Sequence, residues 1–313
     1  MGTWILTHGD CDGICSAAIA LAANPGAHIF FSHPYGLLED LEEAEEDDRV
    51  IICDIAISES HAEELLKKFS AITHRGELIY IDHHPLPRGF KVEDLPGRVV
   101  HSLGSSASEL AYSLFYSRLD VMYSRLAIYG AIGDYLDDTP FIKRLLERWD
   151  KRALYFESGL LVQAIEGRRR DHELKRSIVS NLAMNIPPSF DPRLVELAVQ
   201  HSHREEIAIR ELKGRVKRIG EIAYILNFPF SLGKTATYIR GLADVKVGVA
   251  GEERKGMIDM SLRTNDPEID LNELLRRITL KFDGSGGGHP EAAGARIPKE
   301  RFRDFLEELN KNL

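Results

Sequence analysis

The chain has 313 residues, 40 Lys/Arg against 49 Asp/Glu for a net charge of −9, and 43% hydrophobic and 28% charged residues. This excludes a disordered or fibrous chain and suits two domains of roughly 100–200 residues. No apolar run approaches the ~20 residues that cross a bilayer, no basic leader precedes Ile5-Leu6-Thr7, and Cys11, Cys15 and Cys53 are too few to staple a fold, so a cytoplasmic protein without membrane association is expected.

Over the first hundred residues, strand-like runs (Trp4–Thr7, Ala27–Ser32, Arg49–Cys53, Leu78–Ile81) alternate with helix-like stretches (Ile14–Ala23, Leu37–Glu46, Ser58–Phe69). Such alternation predicts βαβ units and a mostly parallel, five-stranded sheet flanked by helices, an α/β fold. The acidic run Glu39–Asp48 reads as a solvated helix face. From about residue 105 the apolar spacing becomes three and four, through Leu110, Leu114 and Phe115, then Leu126, Ile128 and Ile132, then Leu194, Leu197 and Ala198, which predicts helices. Pro187-Pro188 interrupts them. Strand-like runs return at Ile222–Leu226, Val245–Ala250 and Met257–Leu262, with helical stretches at Leu271–Phe282 and Arg301–Leu309. The expected organisation is a first domain over 1–190, a helical linker over 191–220 and a smaller α+β domain over 221–313. Residues 210–313 carry 19 Lys/Arg against 16 Asp/Glu and the remainder 21 against 33, so the acidic excess lies in the first domain. A net negative charge alone weighs against a nucleic-acid binder.

Every cluster of metal-ligand residue types in the first domain directly follows a strand-like run. His8-Gly9-Asp10-Cys11-Asp12-Gly13 follows the first, Asp54 the third, and Asp82-His83-His84 the fourth. Ligands of open α/β sheets bind beyond the carboxyl ends of the strands, so these segments are expected to converge. In an extended chain His8, Asp10 and Asp12 share one side. Asp134, at the end of a helix-like stretch, can join them. An Asp after a strand commonly caps the next helix, but capping does not account for the whole set. Four Asp crowded together repel one another, and divalent cations relieve that. Mixed imidazole and carboxylate donors favour Mn²⁺ or Mg²⁺. Six ligands suit two ions ~3.5–4 Å apart with a shared carboxylate, the arrangement of phosphoester hydrolysis. The three cysteines read as small buried residues beneath the site.

In order and spacing these four motifs resemble those of the DHH phosphoesterase superfamily. The resemblance implies a two-Mn²⁺ centre: His8 and Asp10 on one ion, Asp12, His83 and Asp134 on the other, Asp54 bridging. It further implies that His84 faces the scissile phosphate, while Asp82 orients the histidines. Asp137 and Asp138 compete for the role of Asp134.

Gly284-Ser285-Gly286-Gly287-Gly288-His289 alone reads as a flexible loop whose N–H groups can form an anion nest. With Ala292-Ala293-Gly294 it resembles the signature of the C-terminal domain that accompanies many DHH enzymes, which implies substrate binding by Gly286, Gly287, Gly288 and His289. Ser261-Leu262-Arg263-Thr264 resembles another segment of that domain and makes Arg263 the expected phosphate clamp. Gly233-Lys234-Thr235 mimics the end of a P-loop, but Phe228 stands where its first Gly is required. Arg168-Arg169-Arg170, Lys175 and Arg176 form a basic cluster that could track a substrate backbone.

The resemblance implies a RecJ-like exonuclease or nano-RNase, a Mn²⁺-dependent enzyme releasing mononucleotides from single-stranded or short RNA or DNA. Short archaeal RecJ-like members fit the length. The alternatives are a 3′-phosphoadenosine-phosphate phosphatase, a cyclic-dinucleotide phosphodiesterase, and a non-catalytic scaffold in a replication or repair assembly. Replication or repair proteins as partners, and a dimer, are left open.

Overall fold

The computed structural model describes residues 2–45 and 48–313. Two compact units divide the chain, Met1–Ser202 and His203–Leu313, with the division inside one long helix.

The first unit opens with β1 (Thr3–Thr7), α1 (Cys11–Ala23), β2 (His28–Phe31), the single turn α2 (Leu37–Asp40), β3 (Arg49–Cys53), α3 (Ala62–Arg75), β4 (Glu77–Asp82) and β5 (Arg98–His101). These strands form one sheet in the order β2-β1-β3-β4-β5, parallel throughout. Alternation along the strands fills two cores. Ile5, Ile51, Cys53, Ile79 and Ile81 face one, with Ile14, Ala17 and Ala18 of α1. Leu6, Val50, Ile52, Leu78 and Tyr80 face the other, with Leu65, Phe69 and Ile72 of α3. Helices follow: α4 (Ala107–Phe115), α5 (Ser124–Gly133), α6 (Pro140–Leu146), α7 (Lys151–Gly167), α8 (His172–Ala183) and α9 (Pro192–Leu212). α1 is buried on nearly every side, and its alanines let α4, α5 and α8 approach it closely. Pro187, in extended conformation, separates α8 from α9.

Two expectations need correction here. The helix expected over Leu37–Glu46 is α2 plus a 3₁₀ turn at Leu41–Glu43, and Glu46 and Asp47 lie outside the described residues. Asp48 is not solvated: it is buried and accepts hydrogen bonds from the Gly2 and Glu45 N–H groups and Trp4 Nε1. The fifth strand is the half-buried Arg98-Val99-Val100-His101, too short and too polar to stand out as an apolar run.

The second unit continues with β6 (Lys217–Ile219), β7 (Ile222–Leu226), α10 (Leu232–Ala243), β8 (Val247–Arg254), β9 (Met257–Thr264), α11 (Leu271–Ile278), β10 (Ser285–Gly288), β11 (Ala292–Pro298) and α12 (Phe302–Lys311). Its sheet runs β10-β11-β9-β8-β7-β6, antiparallel except for β7 with β8. Ile258, Met260 and Leu262 face Leu271, Leu275 and Phe305. On the opposite face Ala223, Ile225 and Ala250 meet Ala236 and Ile239 of α10. The glycine run is therefore not a flexible loop. It is a strand, in register with Ala293, Gly294, Ala295 and Arg296. Among the described residues no helix is long and apolar enough to cross a membrane.

α10 crosses β8 at Gly248, where a Cβ would stand 1.9 Å from the Ala236 carbonyl oxygen. Gly248→Ala should lower stability by about 1–3 kcal/mol, the range of an overpacked core. Gly241→Ala, on the open side of α10, should instead raise it by up to about 1 kcal/mol. Urea unfolding of both variants checks the pair.

Candidate metal centre

The sheet order reverses between β1 and β3, and open parallel sheets bind ligands at such a point, beyond the strands' carboxyl ends. His8 directly follows β1, and its N–H prolongs the pairing to the Cys53 carbonyl. Asp10 is the N-cap of α1: Oδ1 accepts from the Gly13 N–H at 3.0 Å, while Oδ2 lies 2.8 Å from His8 Nδ1. The chain is thus already helical from Cys11, and His8, Asp10 and Asp12 do not share one extended face as expected. Asp12 turns instead toward α4, where its oxygens accept from the Ala107 and Ser108 N–H groups at 2.6 and 2.9 Å. Gly13 is required by closeness, since a Cβ there would stand 2.4 Å from the His8 carbonyl oxygen and 3.1 Å from Asp54 Oδ2. Gly130 is required likewise, with Ser108 Oγ at 2.2 Å and Asp12 Oδ1 at 2.5 Å from its would-be Cβ.

Asp54 ends β3 in the left-handed region, at φ +60°, a conformation that Asp and Asn tolerate better than most residues. Its carboxylate is buried, and neither oxygen has a hydrogen bond among the described residues. His83 Nε2 stands 3.3 Å from Oδ1 and His8 Nδ1 3.8 Å from Oδ2. His83 Nε2 is also 3.3 Å from Asp134 Oδ2 and 3.9 Å from Asp12 Oδ2. Within the first unit three ligand groups result, His8 with Asp10 and Asp54, Asp12 with Asp54, His83 and Asp134, and Asp54 with Asp82 and His84, each with its donor atoms within 4.8 Å of one another. Asp54 belongs to all three, and in the third Asp82 is already engaged by Tyr80 and His84. A buried carboxylate without a donor, shared by the first two nests of oxygen and imidazole nitrogen, fits a pair of hard divalent cations.

Asp82 lies one step outside the first two groups. Its Oδ1 is 2.8 Å from His84 Nδ1, and its Oδ2 accepts from the Tyr80 hydroxyl at 2.9 Å and the His84 N–H at 3.2 Å. His101 Nε2 meets the His84 carbonyl at 2.7 Å. Asp137 and Asp138 join none of these groups; the Asp137 carboxylate accepts from the Tyr155 hydroxyl. Cys11, Cys15 and Cys53 are free and buried.

Burial, then repulsion by Asp134, pushes Asp12 up to about 7. Burial and Asp10 raise Asp54 well above the carboxylate range. Burial opposes the charge of His83, but Asp134 and Asp54 outweigh it and lift the imidazole to about 12. An imidazolium and shared protons thus supply, without metal, the positive charge the carboxylates demand. Burial likewise opposes the charge of Asp82, yet its two histidines hold it near 2.

In the second unit Arg263 is held by Ser261 Oγ and the Leu262 carbonyl, and its guanidinium lies where a Cβ on Gly233 would be, at 2.6 Å. Two of the N–H groups expected in an anion nest have partners within this unit. Gly288 N–H donates to Asn272 Oδ1 and His289 N–H to the Ala292 carbonyl. The glycines also admit α11, since side chains on Gly286 and Gly287 would meet Leu275, Thr279 and Asn272 at 3.0–3.2 Å. Lys234 of the false P-loop is paired with Glu205 at 2.6 Å. In the basic cluster Arg168, Arg169 and Arg170 are exposed, but Lys175 is buried.

Residues 3–133 match the DHH family's N-terminal domain and residues 229–313 the DHHA1 domain. The chain thus carries a DHH-family N-terminal domain followed by a DHHA1 domain. No curated protein matches it. Among solved structures, this DHH protein is similar to an exonuclease RecJ bound to manganese (19% identity, TM-score 0.64, 99% of this chain and 89% of the other). It is also similar to a DHH-domain protein described as a member of the S1p family of ribosomal proteins (17%, TM-score 0.73, 99% and 86%). A third is PggH of Vibrio cholerae, a pGpG-specific phosphodiesterase (14%, TM-score 0.61, 100% and 98%). At these identities the likeness shows the shared fold.

Without metal, the raised groups bind more protons folded than unfolded. Their stabilisation is complete below the unfolded values and is lost as pH rises, for Asp12 through about 7. Metal-free protein should therefore be less stable at pH 8 than at pH 6, and the rise in melting temperature with Mn²⁺ should be larger at pH 8. Asp54→Asn, which removes the carboxylate shared by the ligand groups, should abolish most of that rise. Differential scanning fluorimetry reads all three.

Proposed function

We propose that this DHH protein is a divalent-metal phosphodiesterase that releases mononucleotides from single-stranded or short RNA or DNA. The observation that carries this reading is Asp54, buried, without a hydrogen bond among the described residues and common to the ligand groups. His8 and Asp10 would hold one Mn²⁺ or Mg²⁺ and Asp12, His83 and Asp134 the other, with Asp54 open to both. When bound, such ions would supply an acidified water and charge stabilisation for phosphoester hydrolysis.

The chain's own groups supply the rest. Asp82, set by Tyr80, fixes Nδ1 of His84 and so makes Nε2 the edge that meets the phosphate or the leaving oxygen. Arg263, held on β9 by Ser261 Oγ and the Leu262 carbonyl, and the His289 side chain bind the nucleotide part of the substrate. Gly286 and Gly287 serve this by letting α11 close on β10, and Gly288 by donating its N–H to Asn272 of that helix. Similarity to the manganese-bound RecJ supports a polymer substrate. Similarity to the pGpG phosphodiesterase, over 98% of that chain, supports a second reading in which the substrate is a dinucleotide.

Purified protein with Mn²⁺ should shorten end-labelled single strands of several lengths and release mononucleotides. Hydrolysis confined to pGpG establishes the dinucleotide reading, and hydrolysis confined to 3′-phosphoadenosine-phosphate or cyclic dinucleotides replaces both. Failure to hydrolyse any of these substrates contradicts the phosphodiesterase assignment and leaves a scaffold.

A further inference from the structure

Among the described residues Lys175 is the only buried Lys or Arg, at 5% exposure. It stands on α8, which packs on α1, and makes no hydrogen bond or ion pair among the described residues. Its ammonium lies over the Phe31 ring, 5.9 Å from the centroid. Nζ also rests against Gly9, between His8 and Asp10, where a Cβ would be only 2.4 Å away. The absent side chain of Gly9 is what admits it. Asp10 does not pair with the lysine; its oxygens are taken by His8 Nδ1 and the Gly13 N–H.

Burial of the side chain lowers the pKa of the lysine, against the attraction of Asp10. Three donors on a flexible stem are left for an anion that arrives from outside. We propose that Lys175 is a phosphate-binding residue of the metal centre and contacts the substrate phosphoryl group from the His8–Asp10 side. It thus leaves the exposed arginines 168–170 with which it clusters in sequence. The proposal rests on the phosphodiesterase reading and adds a protein cation to that site's phosphate contacts.

Inorganic phosphate titrated into the Mn²⁺-loaded protein by calorimetry tests it. Lys175→Met should weaken phosphate binding about 10- to 100-fold, the range of one charge-assisted hydrogen bond, with Mn²⁺ affinity unchanged. Lys175→Arg should keep most of the affinity. Gly9→Ala pushes Nζ aside and should weaken binding in the same direction, and the double variant should be no weaker than Lys175→Met alone, because the two changes remove one contact. Equal phosphate affinity in wild type and Lys175→Met overturns the proposal, as does no phosphate binding by the wild type. A fall in Mn²⁺ affinity without a change for phosphate would make Lys175 a counter-ion of Asp10 and overturn it too. Should Lys175→Met not fold, unchanged phosphate binding by Gly9→Ala is the contrary result. A wild type that binds phosphate but cleaves no nucleotide contradicts the phosphodiesterase reading alone.

Discussion

The first unit is organised around a concentration of buried negative charge at the carboxyl end of a parallel sheet. Asp12 and Asp54 are buried, with Asp10 and Asp134 beside them. Such a set is repulsive, and the surrounding structure is shaped by what offsets it. Two N–H groups at the start of α4 bind Asp12, one N–H and His8 bind Asp10, and His83 places Nε2 among Asp12, Asp54 and Asp134. Asp54 has no hydrogen bond among the described residues and holds a left-handed backbone, with His83 Nε2 at 3.3 Å and His8 Nδ1 at 3.8 Å from its oxygens.

The same constraint explains residues that carry no charge. Gly13 and Gly130 are slots for the His8 carbonyl, Ser108 and Asp12, so any side chain there would spread the ligands apart. The small residues of α1 draw three helices onto the element that carries Asp12. In the second unit the glycines act alike on packing: β10 lies flat beneath α11, and the hairpin ends at His289.

The centre was legible in the sequence because each ligand cluster directly follows a strand, and strand ends are where a parallel sheet gathers ligands. Asp134 could be preferred over Asp137 and Asp138 only in three dimensions, where Tyr155 engages Asp137. The helical start at Cys11, which separates Asp12 from Asp10, is set by an N-cap that doubles as a ligand candidate. Tyr80 was readable only as an apolar strand residue, since its hydroxyl finds Asp82 through the sheet's geometry. Lys175 was grouped with exposed arginines because charge runs give no sign of burial. The glycine run alone reads as a loop because glycine is poor in strands, and what overrides this preference is packing against α11, which ends at Ile278, before the run begins.

If Asp54 is the ligand that joins two ions, crystals grown with Mn²⁺ and measured at its absorption edge should show two anomalous peaks per chain, both against the Asp54 carboxylate, one beside His8 and Asp10 and the other beside Asp12, His83 and Asp134. A single peak, or two that do not share Asp54, contradicts the account.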